Sequence, residues 1–267
     1  MNYNKEFIDL VEIAKTKTDI FYNQNNIDEP NPYYLGYGNP NSNILIIGKE
    51  KGFDAKKIQQ LKAESIDNVA QWKWLIQNDI YNCNVILENQ FYYKEYEQFK
   101  NPIIPYCQIN GGGHTWSKYN KLITNILEKD IIDNHAELLG NTRQLKNTSF
   151  LLNSFITEFN TNPSKYSPGS PEISERIDFL SHNFYQKFNI IILACGSYIT
   201  PYEIKNLFKV DKLNIDIQRV PRQKMEFYTS QSKIVVNTNQ LSMAIPDNYL
   251  INIAKTIKEQ IPTLLHF

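Results

Sequence analysis

The stretch Asn43-Ile44-Leu45-Ile46-Ile47-Gly48, followed at once by Lys49-Glu50-Lys51-Gly52, decides the fold class. Four consecutive branched apolar residues that stop on a glycine read as a short strand buried on both faces. Strands of that kind belong to parallel sheets covered by helices on each side. Such sheets take their ligands at the carboxyl ends of the strands, so the polar segment from Gly48 to Phe53 is the first candidate for a working site.

Working outward, Phe7, Ile8, Leu10, Val11, Ile13 and Ala14 recur at helical spacing and predict an amphipathic helix over about 6–22. Pro30, Pro32, Gly36, Gly38 and Pro40 mark 25–43 as a loop. Beyond the first strand, 54–80 reads as helical, and about 81–112, with Phe91, Tyr92, Tyr93, Tyr96 and Phe99, reads as an insertion or lid. Gly111-Gly112-Gly113 then leads into a helix over about 118–128. Thr148-Ser149-Phe150-Leu151-Leu152-Asn153 is the second expected core strand, and a helix starts near Ser170-Pro171-Glu172. A strand over 189–195, a short helix from Pro201 to Phe208, a strand over 214–219, a strand or hairpin over 226–236 and a closing helix from Asp247 to Gln260 complete the reading. This alternation predicts one α/β domain over 1–267, a three-layer αβα sandwich around a central, mostly parallel sheet of about four to five strands.

Composition removes several classes of function. The 28 basic and 28 acidic residues cancel, so no global field draws the chain to nucleic acid, and a basic face has to come from uneven placement of lysines and arginines. Lys49, Lys51, Lys118, Lys121, Arg219, Arg222 and Lys224 are the candidates for such a rim. Apolar runs such as Ile190-Ile191-Ile192-Leu193-Ala194 fall far short of the ~20 residues of a membrane span. No apolar signal segment follows Met1, and a cytoplasmic protein without membrane association is expected. Cys83, Cys107 and Cys195 are odd in number and far apart, and neither they nor His114, His135, His182 and His266 show metal-ligand spacing. No metal and no cofactor are expected. Gly111 to Gly113 matches neither a P-loop nor a dinucleotide fingerprint.

Four polar segments then stand at strand ends or helix starts: Gly48 to Phe53, Gly111 to Ser117, Asn153 with Ser154, and Asn237 to Ser242. They supply a carboxylate (Glu50), an amide (Asn153), a large ring (Trp116) and a closing loop with Asn239, Gln240 and Ser242. An amide reads a base edge in both hydrogen-bonding directions, a ring stacks on the base, and a carboxylate activates water or steadies a cation at the sugar.

The string Phe150-Leu151-Leu152-Asn153-Ser154-Phe155-Ile156-Thr157 resembles the L-L-L-N-x-x-L-T strand of uracil-DNA glycosylases, and Gly48-Lys49-Glu50-Lys51-Gly52 stands in the place of their first motif, G-Q-D-P-Y-H or G-E-A-P-G. Gly113-His114-Thr115-Trp116-Ser117 is similar to the segment that carries their base-stacking phenylalanine. Asn189 to Gly196 is similar to a later strand ending in glycine, and Thr238-Asn239-Gln240-Leu241-Ser242 to their T-x-H-P-S loop. The pattern spans roughly residues 40 to 260.

The resemblance implies a glycosylase-like hydrolase that cleaves the N-glycosidic bond of a flipped base in DNA, acting as a monomer without a cofactor. Glu50 would orient water and Gln240 would hydrogen-bond the departing base. Asn153 would read the base edge and Trp116 stack on it, with Gly48, Lys49, Asn239 and Ser242 lining the site. This chain departs from the family in that Gln240 replaces a histidine, Leu241 a proline, and Lys51 and Gly52 the rigid proline and base-excluding tyrosine. A module that kept the base pocket and lost hydrolysis is the competing reading, and a metabolite-binding cleft is the third. Each residue also has a plain structural alternative: Asn153 as a turn residue, Glu50 as a solvated loop charge, Trp116 as a core ring. Both base-reading hypotheses require Asn153 and Glu50 to point into one region.

Overall fold

A computed structural model describes residues 3–50, 61, 65–79, 114–127, 149–162, 171, 173–215, 224–241 and 245–260. The expected lid at 81–112 and the triple glycine lie outside these residues, as do Lys51, Gly52, Arg219, Arg222 and Ser242.

The strand that opened the reading forms as expected. It is β2 (Ile44–Gly48), and every residue in it is buried. It pairs in parallel on both sides, with β3 (Ser154–Glu158) through Ile44↔Ser154 to Gly48↔Glu158, and with β4 (Ile190–Ala194) through Ile44↔Ile190 to Gly48↔Ala194. The fourth parallel strand is β7 (Ile234–Thr238), which runs beside β4. Antiparallel pieces close both edges: β1 (Tyr37–Gly38) on β3, and β6 (Met225–Thr229) followed by β5 (Asp211–Lys212) on β7. The order β1-β3-β2-β4-β7-β6-β5 makes a mixed sheet of seven strands. The strand or hairpin expected over 226–236 is the pair β6 and β7, and the expected count of four to five falls short by β1 and β5, two-residue edge segments that leave no apolar pattern to detect.

Helices cover both faces. On one face lie α1 (Lys5–Gln24), α2 (Asn68–Gln77), α5 (Ser174–Leu180), α6 (Asn183–Gln186) and α7 (Pro201–Phe208), packed on Leu45, Ile47, Ile191, Leu193 and Val235. On the other face lie α3 (His114–Leu127), α4 (Ser149–Leu152) and α8 (Asp247–Gln260), packed on Ile44, Ile46, Ile190, Ile192 and Val236. The alternation of odd and even residues along β2 and β4 therefore divides the core into its two layers. Caps account for the starts of α1 and α7. Asn4 accepts from the Phe7 amide at 2.8 Å, and Thr200 with Glu203 forms a reciprocal capping box ahead of Pro201.

Two expected strands are corrected. Residues 149–152 form a single helical turn, α4, and the strand begins only at Ser154. The run Phe150-Leu151-Leu152 is apolar in either conformation, and four residues carry no periodicity to separate the two. The loop before β2 settles the matter: the Asn39 amide donates to Leu151 O at 2.8 Å and to Ser154 O at 2.9 Å, and its side chain donates to Leu152 O at 2.7 Å. The strand expected over 214–219 is also absent where the chain is described. Pairing with β6 is confined to Asp211 and Lys212, and residues 213–215 are irregular.

Gly38 has φ +86°, and a Cβ added there would lie 2.3 Å from Ser154 O. Gly38→Ala is expected to cost about 2 kcal/mol or more in unfolding free energy, through strained backbone and through the clash with a carbonyl that cannot withdraw. Urea denaturation measures it, and a change within ~0.5 kcal/mol would show that β1 does not hold this geometry.

Lys118 and Lys121 of α3 both bind Asp247 at the start of α8, at 3.0 and 2.6 Å. Partial burial pushes the Asp247 carboxyl up, but the hydrogen bonds from Lys121 and Lys118 and their charges outweigh it, and its pKa falls below the ordinary 3.8. A depressed carboxylate stabilises the fold above its unfolded value and loses that contribution as pH falls through the folded one. Asp247→Asn is therefore expected to be less stable than wild type at pH 7, by under about 1 kcal/mol for a pair this exposed, and equal to it near pH 2. Denaturation midpoints at the two pH values test this, and a difference that persists unchanged at low pH would refute it.

Candidate functional site

The topology names the place where a ligand fits. From β2 the chain goes on to β3, on one side; from β4 it goes on to β5, at the far edge on the other, and returns through β6 to β7. At the carboxyl ends of β2 and β4 the connections therefore diverge, which is where open α/β sheets form their ligand crevice. The loops that border it are Lys49-Glu50 after β2 and Cys195-Gly196-Ser197-Tyr198 after β4.

Glu50 is placed there and is not a solvated loop charge. It is 8% exposed and accepts the Tyr198 hydroxyl through Oε2 at 2.5 Å. Lys49 lays its ammonium over the Tyr198 ring, 4.7 Å from the centroid. Gly196 has φ +65°, so glycine serves the turn, and a Cβ there would make ordinary contact with the Lys49 side chain at 3.5 Å. Gly48 is closely approached: a Cβ there would stand 3.2 Å from the Tyr119 hydroxyl, which would have to give by a few tenths of an ångström, and 3.6 Å from Glu158 Cγ.

Asn153 is not part of this end. It precedes Ser154, which pairs with Ile44, whereas Glu50 lies beyond Gly48, which pairs with Glu158. The two are separated by the full length of the strands, roughly 20 Å at the ordinary rise per residue. Asn153 is exposed and its amide closes a turn on Phe150 O at 3.1 Å. A pocket built from Asn153 and Glu50 is excluded, and the error follows directly from reading α4 as the strand.

The amide that does follow the second core strand is Asn160. Its backbone N–H donates to Lys49 O at 2.8 Å, one residue beyond Phe159, whose N–H donates to Gly48 O at 3.0 Å. These bonds carry the ladder of β2 and β3 past its last paired residues and set Asn160 beside the Lys49-Glu50 loop. Asn160 is 6% exposed, and its Oδ1 accepts from the Asn162 amide at 3.1 Å. The signal was present in the sequence as Phe155-Ile156-Thr157, a β-branched stretch, running into the turn residues Asn160-Thr161-Asn162-Pro163.

The end of β3 is held by Arg176. This buried guanidinium donates to Glu158 O at 2.9 Å, Tyr34 O at 2.9 Å and Thr157 Oγ1 at 2.6 Å, and it stacks on Tyr34 and Phe179 at about 5 Å.

On the far side of β4, Gly196 N donates to Thr238 O at 3.0 Å, and Lys224 donates to Gly196 O at 3.0 Å while pairing with Glu226 at 3.7 Å. Glu226 also accepts from Asn237 Nδ2 at 3.2 Å. Partial burial raises the Glu226 pKa, but Lys212 and then Lys224 more than reverse this and hold it below the usual carboxylate range. Asn239 and Gln240, both half-buried, span the gap between Thr238, whose hydroxyl meets that of Tyr249, and the fully buried Leu241. The expected Gln240 and Asn239 thus emerge from β7 at the same end of the sheet as Glu50.

Trp116 packs in a cluster of rings. It lies edge-on to Tyr119 at 5.8 Å and to Tyr37 at 6.4 Å, and tilted on Phe150 at 6.2 Å. It is Tyr119, one turn further along α3, that reaches Gly48.

Of the expected basic rim, Lys118 and Lys121 serve Asp247 and Lys224 serves Gly196 and Glu226, which among the described residues leaves Lys49 beside the loop after β4. Cys195 is buried, and burial pushes its thiol up to about 12 against the opposing pull of Lys224 and Lys49, so it is no nucleophile at neutral pH. Among the described residues no group of three or more His, Cys, Asp and Glu side chains is placed to hold a metal ion, and no helix is long and apolar enough to cross a membrane.

Arg176→Lys is expected to cost about 3 kcal/mol in denaturant unfolding, since one ammonium cannot serve three acceptors set in a guanidinium fork. A cost under ~0.5 kcal/mol would mean that the fork does not hold the end of β3.

No family model matches the chain, and no curated protein and no solved structure matches it.

Proposed function

We propose that the chain is a base-reading hydrolase of the uracil-DNA-glycosylase type, cleaving the N-glycosidic bond of an extruded base in DNA, with Asn160 in the role first given to Asn153. The observation that carries this reading is the 2.8 Å bond from Asn160 N to Lys49 O, which ties the backbone of a buried asparagine to the loop that carries a buried carboxylate, Glu50, at the carboxyl ends of the central strands. Separation of Asn153 from Glu50 removes both base-reading hypotheses in the form that the resemblance implies, and the proposal rests instead on Asn160. The same two chemical functions are recovered one strand-length away, at the end where open α/β sheets bind ligands.

In this reading Glu50 orients a water toward the anomeric carbon and offsets positive charge as the glycosidic bond breaks. Asn160 reads the base edge, because an amide donates and accepts side by side. Gln240, carried on the loop after β7, donates to the base carbonyl as it gains charge, and a neutral amide does this without transferring a proton. Lys49 supplies the positive charge at the crevice mouth, where a nucleic-acid phosphate would lie. None of these roles calls on a cofactor.

The test is base release from single- and double-stranded oligonucleotides containing uracil, hypoxanthine or xanthine, scored as abasic-site cleavage. Wild type is expected to release at least one of these bases, Glu50→Gln to fall by about 100-fold or more, and Asn160→Ala by about 10- to 100-fold. Asn153→Ala is expected to match wild type within about twofold, as a distant exposed residue should. Loss of activity in Asn153→Ala with Asn160→Ala unaffected would overturn the assignment. Retained oligonucleotide binding with no abasic sites from any substrate would make the chain a binding module on the same fold.

A further inference from the structure

We infer that Tyr198 is a positioning residue for Glu50, an element of the site that the resemblance does not supply; the inference rests on the reading of Glu50 as the water-orienting carboxylate. The Tyr198 hydroxyl donates to Glu50 Oε2 at 2.5 Å, and both residues are 8% exposed. They come from different strands, Glu50 from the loop after β2 and Tyr198 from the turn after β4, so the bond spans the crevice at which the connections diverge.

A glutamate has three side-chain torsions, and at a loop position an unrestrained carboxylate samples several orientations. The phenol removes that freedom at Oε2 and fixes the plane of the carboxylate. Glu50 therefore enters the site as a carboxylate of fixed direction, which is the requirement for holding a water in line with a scissile bond.

The ring that delivers the hydroxyl is itself restrained from two sides. Lys49 holds an ammonium over it at 4.7 Å, and Tyr198 belongs to the apolar layer that includes Cys195, Ile199 and Ile204. The Tyr198 amide closes the turn on Cys195 O at 3.3 Å, and the turn is tied to β7 through Gly196 N and Thr238 O at 3.0 Å. A phenol mounted this way is a rigid support, and rigid support of the reacting group separates a precise site from a loose one.

Two measurements on the full chain test this, and they fail independently. In protein labelled with 13C-glutamate, the Glu50 side-chain carboxyl resonance is assigned by its loss in Glu50→Gln. It is expected to move in Tyr198→Phe and to stay in place in Tyr202→Phe, an exposed control one turn away. An unmoved resonance in a folded Tyr198→Phe protein would overturn the inference whether or not the chain has activity. The second measurement is base release from the substrate that wild type cleaves. Tyr198→Phe is expected to lower kcat by about 10- to 100-fold with KM within about twofold, and to add nothing further in a Glu50→Gln background. Effects that multiply in the double variant would place Tyr198 on a separate task and overturn the inference. Absence of base release by wild type would sink the proposed reaction and leave the carboxyl resonance to decide the Tyr198–Glu50 contact.

Discussion

Everything in this molecule depends on the pairing of β2 with two parallel neighbours in the same register. Ile44 to Gly48 is enclosed by β3 on one edge, β4 on the other and a helical layer on each face, so every backbone group in it has to be satisfied by the ladder. That pairing sets Gly48 opposite both Glu158 and Ala194 and brings three loops out side by side. Glu50, Asn160 and Tyr198 occupy those loops. Glu50, Asn160 and Tyr198 are thereby referenced to one fully buried strand.

The second constraint is the polar scaffold around Arg176. A buried guanidinium is costly unless its donors are met, and here two carbonyls and a threonine hydroxyl meet them in place of a carboxylate. Those acceptors lie on the loop before β1 and on the last two residues of β3. The cation thereby locks the strand end from which Asn160 follows. On the neighbouring loop, Asn68 and the Trp72 indole bind the backbone of Leu35 and Gly36, fixing α2 to the edge of the sheet. Buried polar groups in this protein hold irregular segments next to the site, where apolar packing alone has no directional preference.

Charge is spent locally. With equal numbers of acidic and basic residues, the lysines that sequence position placed near the cleft are mostly matched: Lys118 and Lys121 join α3 to α8 through Asp247, and Lys224 bridges Gly196 and Glu226. Lys49 stands apart, directed at an aromatic face beside Glu50. Affinity for a polyanion in such a protein has to come from a few groups at the crevice and not from long-range attraction.

By itself, the sequence determined the fold class, the first core strand and the helices at each end of the chain, because these depend on local patterns. Four buried aliphatic residues before a glycine, a helical repeat from Phe7 to Ala14, and a capping box at Thr200 each carry their own signal. It also marked Gly48-Lys49-Glu50 as a place of interest. Only the tertiary structure decided which amide shares the crevice with Glu50. Phe150-Leu151-Leu152 and Phe155-Ile156-Thr157 are both short and largely apolar, and each has an asparagine downstream, Asn153 at once and Asn160 three residues on. Hydrogen bonds from Asn39, more than a hundred residues earlier in the chain, turn the first into a helical turn and leave the second to pair with β2. The Tyr198–Glu50 bond is of the same kind: it joins residues 148 positions apart, and nothing near either one announces the other. Short apolar runs are ambiguous because their energetics are settled by partners distant in sequence, and the site of this protein is built almost wholly from such partners.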